Sequence, residues 1–191
     1  NMLAEMEDGT AIFAESPLTQ STRLSQFASA YAEVEVSEVL DEYGFPKMKQ
    51  KVTLVDPSAK LDAFMEDIES FGKEQVAVMA VSRQLIELLS ARLTKAKIPH
   101  GLVTGSQSED ERQDAMDKFQ AGHIQFILFT TGAGGTGVTL TAARYLARLQ
   151  IPYNFVDYKQ SLRRVRRIGS ERHENIIVID YVAEDTIDEH V

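Results

Sequence analysis

The sequence has 191 residues, with 20 Lys and Arg against 29 Asp and Glu, a formal net charge of −9. Its 43% hydrophobic and 26% charged content is that of a soluble globular chain, long enough for one full core and an appendage. It contains no cysteine, which excludes disulfide frameworks, thiolate metal sites and cysteine nucleophiles, and no apolar run approaches the ~20 residues of a membrane span.

The first ten residues are acidic and lack the apolar stretch of a signal peptide. Pro17 to Ala30 reads as a helix, with Pro17 in a first-turn position and Leu24, Phe27 and Ala28 at helical spacing. Glu33 to Val36 and Lys51 to Val55 alternate like strands on either side of a Gly44-Phe45-Pro46 break, which predicts a hairpin. Residues 1–57 therefore read as a small helix/hairpin extension. Asp56-Pro57-Ser58 then starts a helix carrying Leu61, Phe64, Met65 and Ile68, and the rhythm becomes strictly alternating. Strands are expected at Gln75 to Ala80, His100 to Val103, Ile124 to Phe129, Tyr145 to Leu149 and Asn175 to Tyr181. Helices are expected after Ser82, after Ser108 (with Glu111 completing a capping box), over Phe155 to Arg167 and from Glu184 onward. Alternation of this kind over residues 58–191 predicts an α/β domain of three layers, a mainly parallel sheet between helices, with ligands at the carboxyl ends of the strands.

The charge is unevenly spread. Residues 1–70 hold 14 acidic and 5 basic side chains, whereas Arg144 to Arg172 holds eight basic against two acidic. A glycine-rich loop, Thr130-Thr131-Gly132-Ala133-Gly134-Gly135-Thr136-Gly137, directly follows the Ile124 to Phe129 strand, and its backbone can approach phosphate oxygens closely. It is not a Walker A loop, because Val138 stands where Lys is required. Gly132, Gly134 and Gly137 do match G-x-G-x-x-G, with Asp157 where a ribose-binding acid belongs, so a dinucleotide-binding domain is one alternative. Downstream, Gln160, Arg164 and Arg167 would share a ~60° wedge of a continuous helix, presenting two guanidiniums beside an amide while Leu162 and Val165 pack inward. Planar, permanently charged forks suit phosphate, although the same helix would also serve a non-catalytic interaction module docking an acidic partner. His100, His123, His173 and His190 are too scattered for a metal site, and none is expected. The pairs Asp180/Asp185 and Asp188/Glu189 read as the acidic, solvated start of a last helix and not as an acid–base dyad.

Several of these strings resemble one family. Thr104-Gly105, the Glu111-Arg112 helix ending Phe119-Gln120-Ala121-Gly122, then ILFTTGAGGTGVTLTAA, QSLRRVRRIGS, NIIVIDY and Thr186-Ile187-Asp188-Glu189 follow in the order of the C-terminal RecA-like lobe of Swi/Snf-type superfamily two DNA-dependent ATPases, in a compact form like that of bacterial or phage members. The resemblance implies a RecA-like fold and an ATP hydrolase acting on double-stranded DNA, a helicase or translocase, intracellular and cytoplasmic or DNA-associated. It implies that Arg164 and Arg167 act as arginine fingers on ATP and that Gly135, Gly137 and Gln160 lie near the nucleotide. Ser82, Arg83, Thr104, Gly105 and Thr131 would contact DNA phosphates. Gly132, Thr139, Arg144, Arg163, Arg166 and Ser170 depart from the family strings. The sequence holds neither a Gly-Lys-Ser/Thr loop nor an Asp-Glu box, so ATP and its Mg2+ are expected to be held mainly by an N-terminal RecA-like lobe of a longer protein. The 191 residues are read as a fragment, monomeric and inactive alone.

Overall fold

The computed structural model describes residues 2–5, 11–13, 16–40, 42–132, 139–167, 169–171 and 173–190. A short antiparallel pair, β1 (Met2–Glu5) and β2 (Ala11–Phe13), comes first. Helix α1 (Pro17–Phe27) starts where the Ser16 hydroxyl accepts the Thr19 N–H, and it ends with Ala28 as C-cap, two residues short of the expected Ala30. Strands β3 (Tyr31–Leu40) and β4 (Pro46–Val55) then pair antiparallel from Tyr31 opposite Val55 to Leu40 opposite Pro46. Both strands are much longer than their alternating parts. Alternation marks only the half-buried base, where Ala32, Val52 and Leu54 enter the core. Farther out neither face is covered, so the ladder continues through Ser37, Lys49, Glu38 and Met48 without a sequence period. At the tip Leu40, Tyr43, Phe45 and Met48 are 60–77% exposed.

The base of this ribbon is anchored sideways. Gln84 accepts the Leu54 N–H at 2.6 Å and donates to the Val52 carbonyl at 3.1 Å, standing in for a neighbouring strand, and Arg23 donates to the Gln50 carbonyl. Ala30, Ala32, Val52 and Leu54 share one core cluster with the domain that follows.

That domain contains α2 (Ala59–Asp67), β5 (Val76–Ala80), α3 (Arg83–Lys95), β6 (His100–Val103), α4 (Glu109–Gln120), β7 (Phe126–Thr130), β8 (Tyr145–Arg148), α5 (Phe155–Val165) and β9 (Ile177–Asp180). The five strands form one parallel sheet in the order β6-β7-β5-β8-β9. The expected terminal helix is only a 3-10 turn over Ile187–His190.

Strand alternation sorts the core into two layers. Val76, Val78 and Ala80 face Leu61, Phe64, Leu85, Ile86 and Leu89 from α2 and α3, whereas Ala77 and Met79 face Ala115, Phe119 and Val165 from α4 and α5. Helix α4 lies so close on β6 that a Cβ at Gly101 would stand 2.9 Å from Ile124 Cδ1 and 3.0 Å from Ala115 Cβ. The chain leaves β5 toward β6 on one face and leaves β8 toward β9 on the other. The carboxyl ends of β5 and β8 therefore flank the crevice where connections diverge, the usual ligand position of such sheets.

Candidate functional site

Asn154 opens α5 by accepting the Val156 N–H at 2.8 Å, and Val165, 1% exposed, packs beneath it with Leu162. The helix stops at Val165, because Arg166 turns to ψ 88° after its N–H bonds the Leu162 carbonyl, and the Arg164 carbonyl is taken by the Leu140 N–H at 2.8 Å. The expected wedge of Gln160, Arg164 and Arg167 on one continuous helix is thus corrected. Gln160 is exposed on the helix, Arg164 is 8% exposed beneath it, and Arg167 is exposed beyond its end. Arg164 donates to the Thr131 carbonyl at 3.0 Å and lies 5.5 Å from the Phe129 ring centre. Burial lowers its pKa, with Asp157 opposing. Arg167 donates to the Thr139 hydroxyl at 2.9 Å.

Residues 139–142, which receive Arg167, are held from their other side by Gln120, to which the sequence assigned no role. Gln120, the last residue of α4, donates to the Thr139 carbonyl at 2.9 Å and the Thr141 hydroxyl at 3.3 Å, and accepts the Ala142 N–H at 2.8 Å. His173 Nε2 meets the Ala142 carbonyl at 3.0 Å. No pattern of residue types announces such a role, since two of the three partners of Gln120 are backbone groups of a distant loop.

Because β6, β7 and β5 are adjacent, the loops after them line one rim. The β5 loop brings Ser82, half-buried, whose N–H donates to Gln150 Oε1 at 2.7 Å, and Arg83, whose exposed side chain pairs with Glu87 at 3.2 Å. Ser82 occupies the N-cap position of α3 but its side chain makes no capping bond. The β6 loop brings Thr104 and Gly105. The Thr104 hydroxyl is turned inward, 1% exposed, donating to Gln107 Oε1 at 2.7 Å, so Gly105 and Ser106 form the outer surface of this turn. The β7 loop brings Thr131, half-buried, and Gly132, exposed with open space around its α-carbon. Gly134, Gly135 and Gly137 lie outside the described residues. At the crevice between β5 and β8 a cavity of about 460 Å³ is lined by Ser82, Arg83, Gln84, Gln150, Tyr153 and Asp157, with α1 as its outer wall.

Two acidic expectations change. Asp188, read as solvated, is 7% exposed and ion-paired with buried Lys60, whose ammonium also donates to the Leu149 carbonyl at 3.0 Å. Asp180 takes the buried Arg148 guanidinium through two bonds of 2.5 and 2.7 Å, while Arg148 stacks 4.4 Å from the Tyr158 ring centre. The dinucleotide alternative loses its footing as well. That fingerprint opens a helix whose N-terminus holds the pyrophosphate, but the described residues 139–144, leading from the glycine loop to β8, form turns and no helix. Among the described residues no group of three His, Asp or Glu side chains is arranged to hold a metal, and no helix is long and apolar enough to cross a membrane.

Residues 59–169 match the helicase conserved C-terminal domain. The ATP-dependent helicase fft2 of Schizosaccharomyces pombe is 28% identical over 153 residues, 77% of this chain and 12% of that protein. The chromatin-remodeling ATPase INO80 of Emericella nidulans is 28% identical over 147 residues, 76% of this chain and 9% of that protein. Among solved structures, the C-terminal part of the Fun30 ATPase domain is similar with a TM-score of 0.62 at 25% identity, covering 70% of this chain and 44% of its own. The Sulfolobus solfataricus SWI2/SNF2 ATPase C-terminal domain gives 0.51 at 23% identity, covering 70% and 53%, a likeness of fold. The chain spans about a tenth of the length of these curated relatives.

Proposed function

The chain belongs to the helicase conserved C-terminal domain family, and from that premise we propose that it is the second motor lobe of a Snf2-type, ATP-driven translocase on double-stranded DNA. The observation that carries this reading is the exposed Arg167 guanidinium, held by Thr139 at the exit of the glycine-rich loop, while Arg164 fixes the entrance of that loop through Thr131. ATP and Mg2+ would be held mainly by an N-terminal lobe bearing the Gly-Lys-Ser/Thr and Asp-Glu boxes, and this lobe would close over it. Arg167 then meets the γ-phosphate with a planar fork and stabilises the charge of the transferring phosphoryl group. Arg164 adds its charge from behind, and Gln160, Gly135 and Gly137 border the nucleotide. Such arginines are worth about 10³–10⁵ in rate.

The rim of loops after β5, β6 and β7 fits a phosphate track. Arg83, exposed and paired with Glu87, supplies a guanidinium, the exposed Gly105 and Ser106 of the turn after β6 supply an uncrowded surface, and Thr131 links the track to Arg164. Phosphate contacts carry no base information, so binding is sequence-tolerant and weakened by salt. In the longer, two-lobed protein, Arg167→Ala lowers DNA-stimulated ATP hydrolysis by about 10³ or more while the melting temperature holds, since the side chain is exposed. The isolated 191 residues hydrolyse ATP at the background rate. Wild-type turnover by Arg167→Ala, or robust turnover by the isolated chain, overturns the reading.

A further inference from the structure

We propose that Gln120 is a positioning residue for Arg167, acting through Thr139. The inference rests on the reading of Arg167 just given and extends it to a residue that touches neither nucleotide nor DNA. Arg167 lies past the end of α5, where the Ser170 N–H and hydroxyl hold its carbonyl, and its bond to the Thr139 hydroxyl orients its fork. Thr139 lies in a segment of turns with no strand or helix of its own. Its position is set by the Gln120 amide, which donates to the Thr139 carbonyl and the Thr141 hydroxyl while accepting the Ala142 N–H.

Gln120 is itself well placed to act as a fixed post. Its neighbour Phe119 is fully buried, and α4 is pressed against β6 at Gly101. The amide therefore projects from a part of the core with little freedom to move. Both ends of the amide are used, and in opposite senses, which makes the side chain selective for glutamine. A glutamate of the same shape keeps the acceptor for Ala142 but sets a carboxylate oxygen against the Thr139 carbonyl, and two acceptors repel. Thr139 then shifts, and the arginine hanging from its hydroxyl shifts with it. Displacements of about 1 Å in a positioning group cost up to 10²-fold in turnover.

The test uses the longer two-lobed ATPase with saturating DNA and the variants Arg167→Ala, Gln120→Glu, Thr139→Val, Arg167→Lys and the double variant Gln120→Glu with Arg167→Lys. Gln120→Glu is expected to lower kcat about tenfold or more with KM for ATP and the melting temperature nearly unchanged. Thr139→Val, which removes only the hydroxyl that receives Arg167, reproduces the loss and serves if Gln120→Glu proves unstable. In the Arg167→Lys background, Gln120→Glu causes little further loss, because the fork it positions is already gone. A merely structural glutamine would lower kcat equally in both backgrounds, and that additivity overturns the inference. So does a kcat at the wild-type level in Gln120→Glu or Thr139→Val when Arg167→Ala is inactive. Full activity of Arg167→Ala instead removes the reading on which the inference stands, a result distinguishable from the other two.

Discussion

At the scale of single residues, charge is spent in two different ways. Arg167 is exposed and positioned, whereas Lys60, Arg148 and Arg164 are buried and tied down. Lys60 is the clearest of the second group. Burial lowers its pKa, and the hydrogen bond and charge of Asp188 pull it back up. The ammonium also caps the Leu149 carbonyl, so one buried pair joins α2, the end of β8 and the C-terminal turn. Lys60→Met leaves Asp188 charged, buried and without its cation, and is expected to destabilise the fold by about 3–5 kcal/mol. Adding Asp188→Leu removes the stranded charge and should recover most of that loss. Chemical denaturation of the single and double variants measures both numbers, and equal stability of the two would mean that Asp188 is not the stranded partner. None of this was legible from residue types. Asp188 sits in a string that reads as an exposed helix start, and its partner lies on a helix at the opposite end of the domain.

At the scale of elements, the best-read parts were those whose cause is local. The capping box of α4 was visible as Ser108 and Glu111, and both of its bonds are made. The strands buried on both faces, β5 and β7, declared themselves as apolar runs. The failures share a physical origin in tertiary competition. Helix α5 ends early because Arg166 leaves helical geometry and Leu140 takes the Arg164 carbonyl, and β3 and β4 outrun their alternation because pairing continues where nothing needs burial. Helix α4 also carries the site-bearing Gln120, so its two ends yield predictions of different kinds. At the start, the Ser108 N–H and hydroxyl hold the Glu111 carboxylate below its ordinary pKa of 4.5. A lowered carboxylate stabilises the fold fully above that value and loses its contribution as pH falls through the lowered one. The stability gap between wild type and Glu111→Gln is therefore expected at pH 7 and should close on acidification, as read from melting temperatures across that range. Under the middle of α4, on β6, Gly101→Ala forces a methyl against Ala115 and Ile124, with an expected cost of about 1–3 kcal/mol.

At the scale of the whole molecule, the net charge of −9 has to be reconciled with the proposed DNA track. The basic run from Arg144 to Arg172 contributes less than its count, since Arg148 is neutralised by Asp180 and Arg164 is buried. Lys159, Arg163, Arg166 and Arg167 remain exposed, so in the proposed complex attraction to DNA comes from these together with the phosphate contacts on the rim. The acidity is concentrated elsewhere, in part on Glu33, Glu35, Glu38 and Glu42 of a ribbon whose ten-residue strands extend roughly 33 Å, where Lys47, Lys49 and Lys51 offset it in part and Lys51 pairs with Glu35. At about 0.15 M salt charges are screened beyond ~8 Å, so acids farther than that from the rim are not felt there, whereas at 0.01 M the reach grows to ~30 Å. Two consequences follow for the longer protein bound to duplex DNA. Arg83→Ala should weaken binding by the same factor for any sequence and reduce the slope of log affinity against log salt by about one. The wild-type plot should also flatten at the lowest salt, where repulsion from the acidic ribbon opposes the gain from counterion release. Replacing Glu33, Glu35, Glu38 and Glu42 with Gln should restore linearity there without changing the slope at higher salt. If the plot is straight down to 0.01 M with those acids in place, the ribbon's charge does not reach the DNA; if Arg83→Ala leaves the slope unchanged, the rim at β5 is not where the phosphates lie.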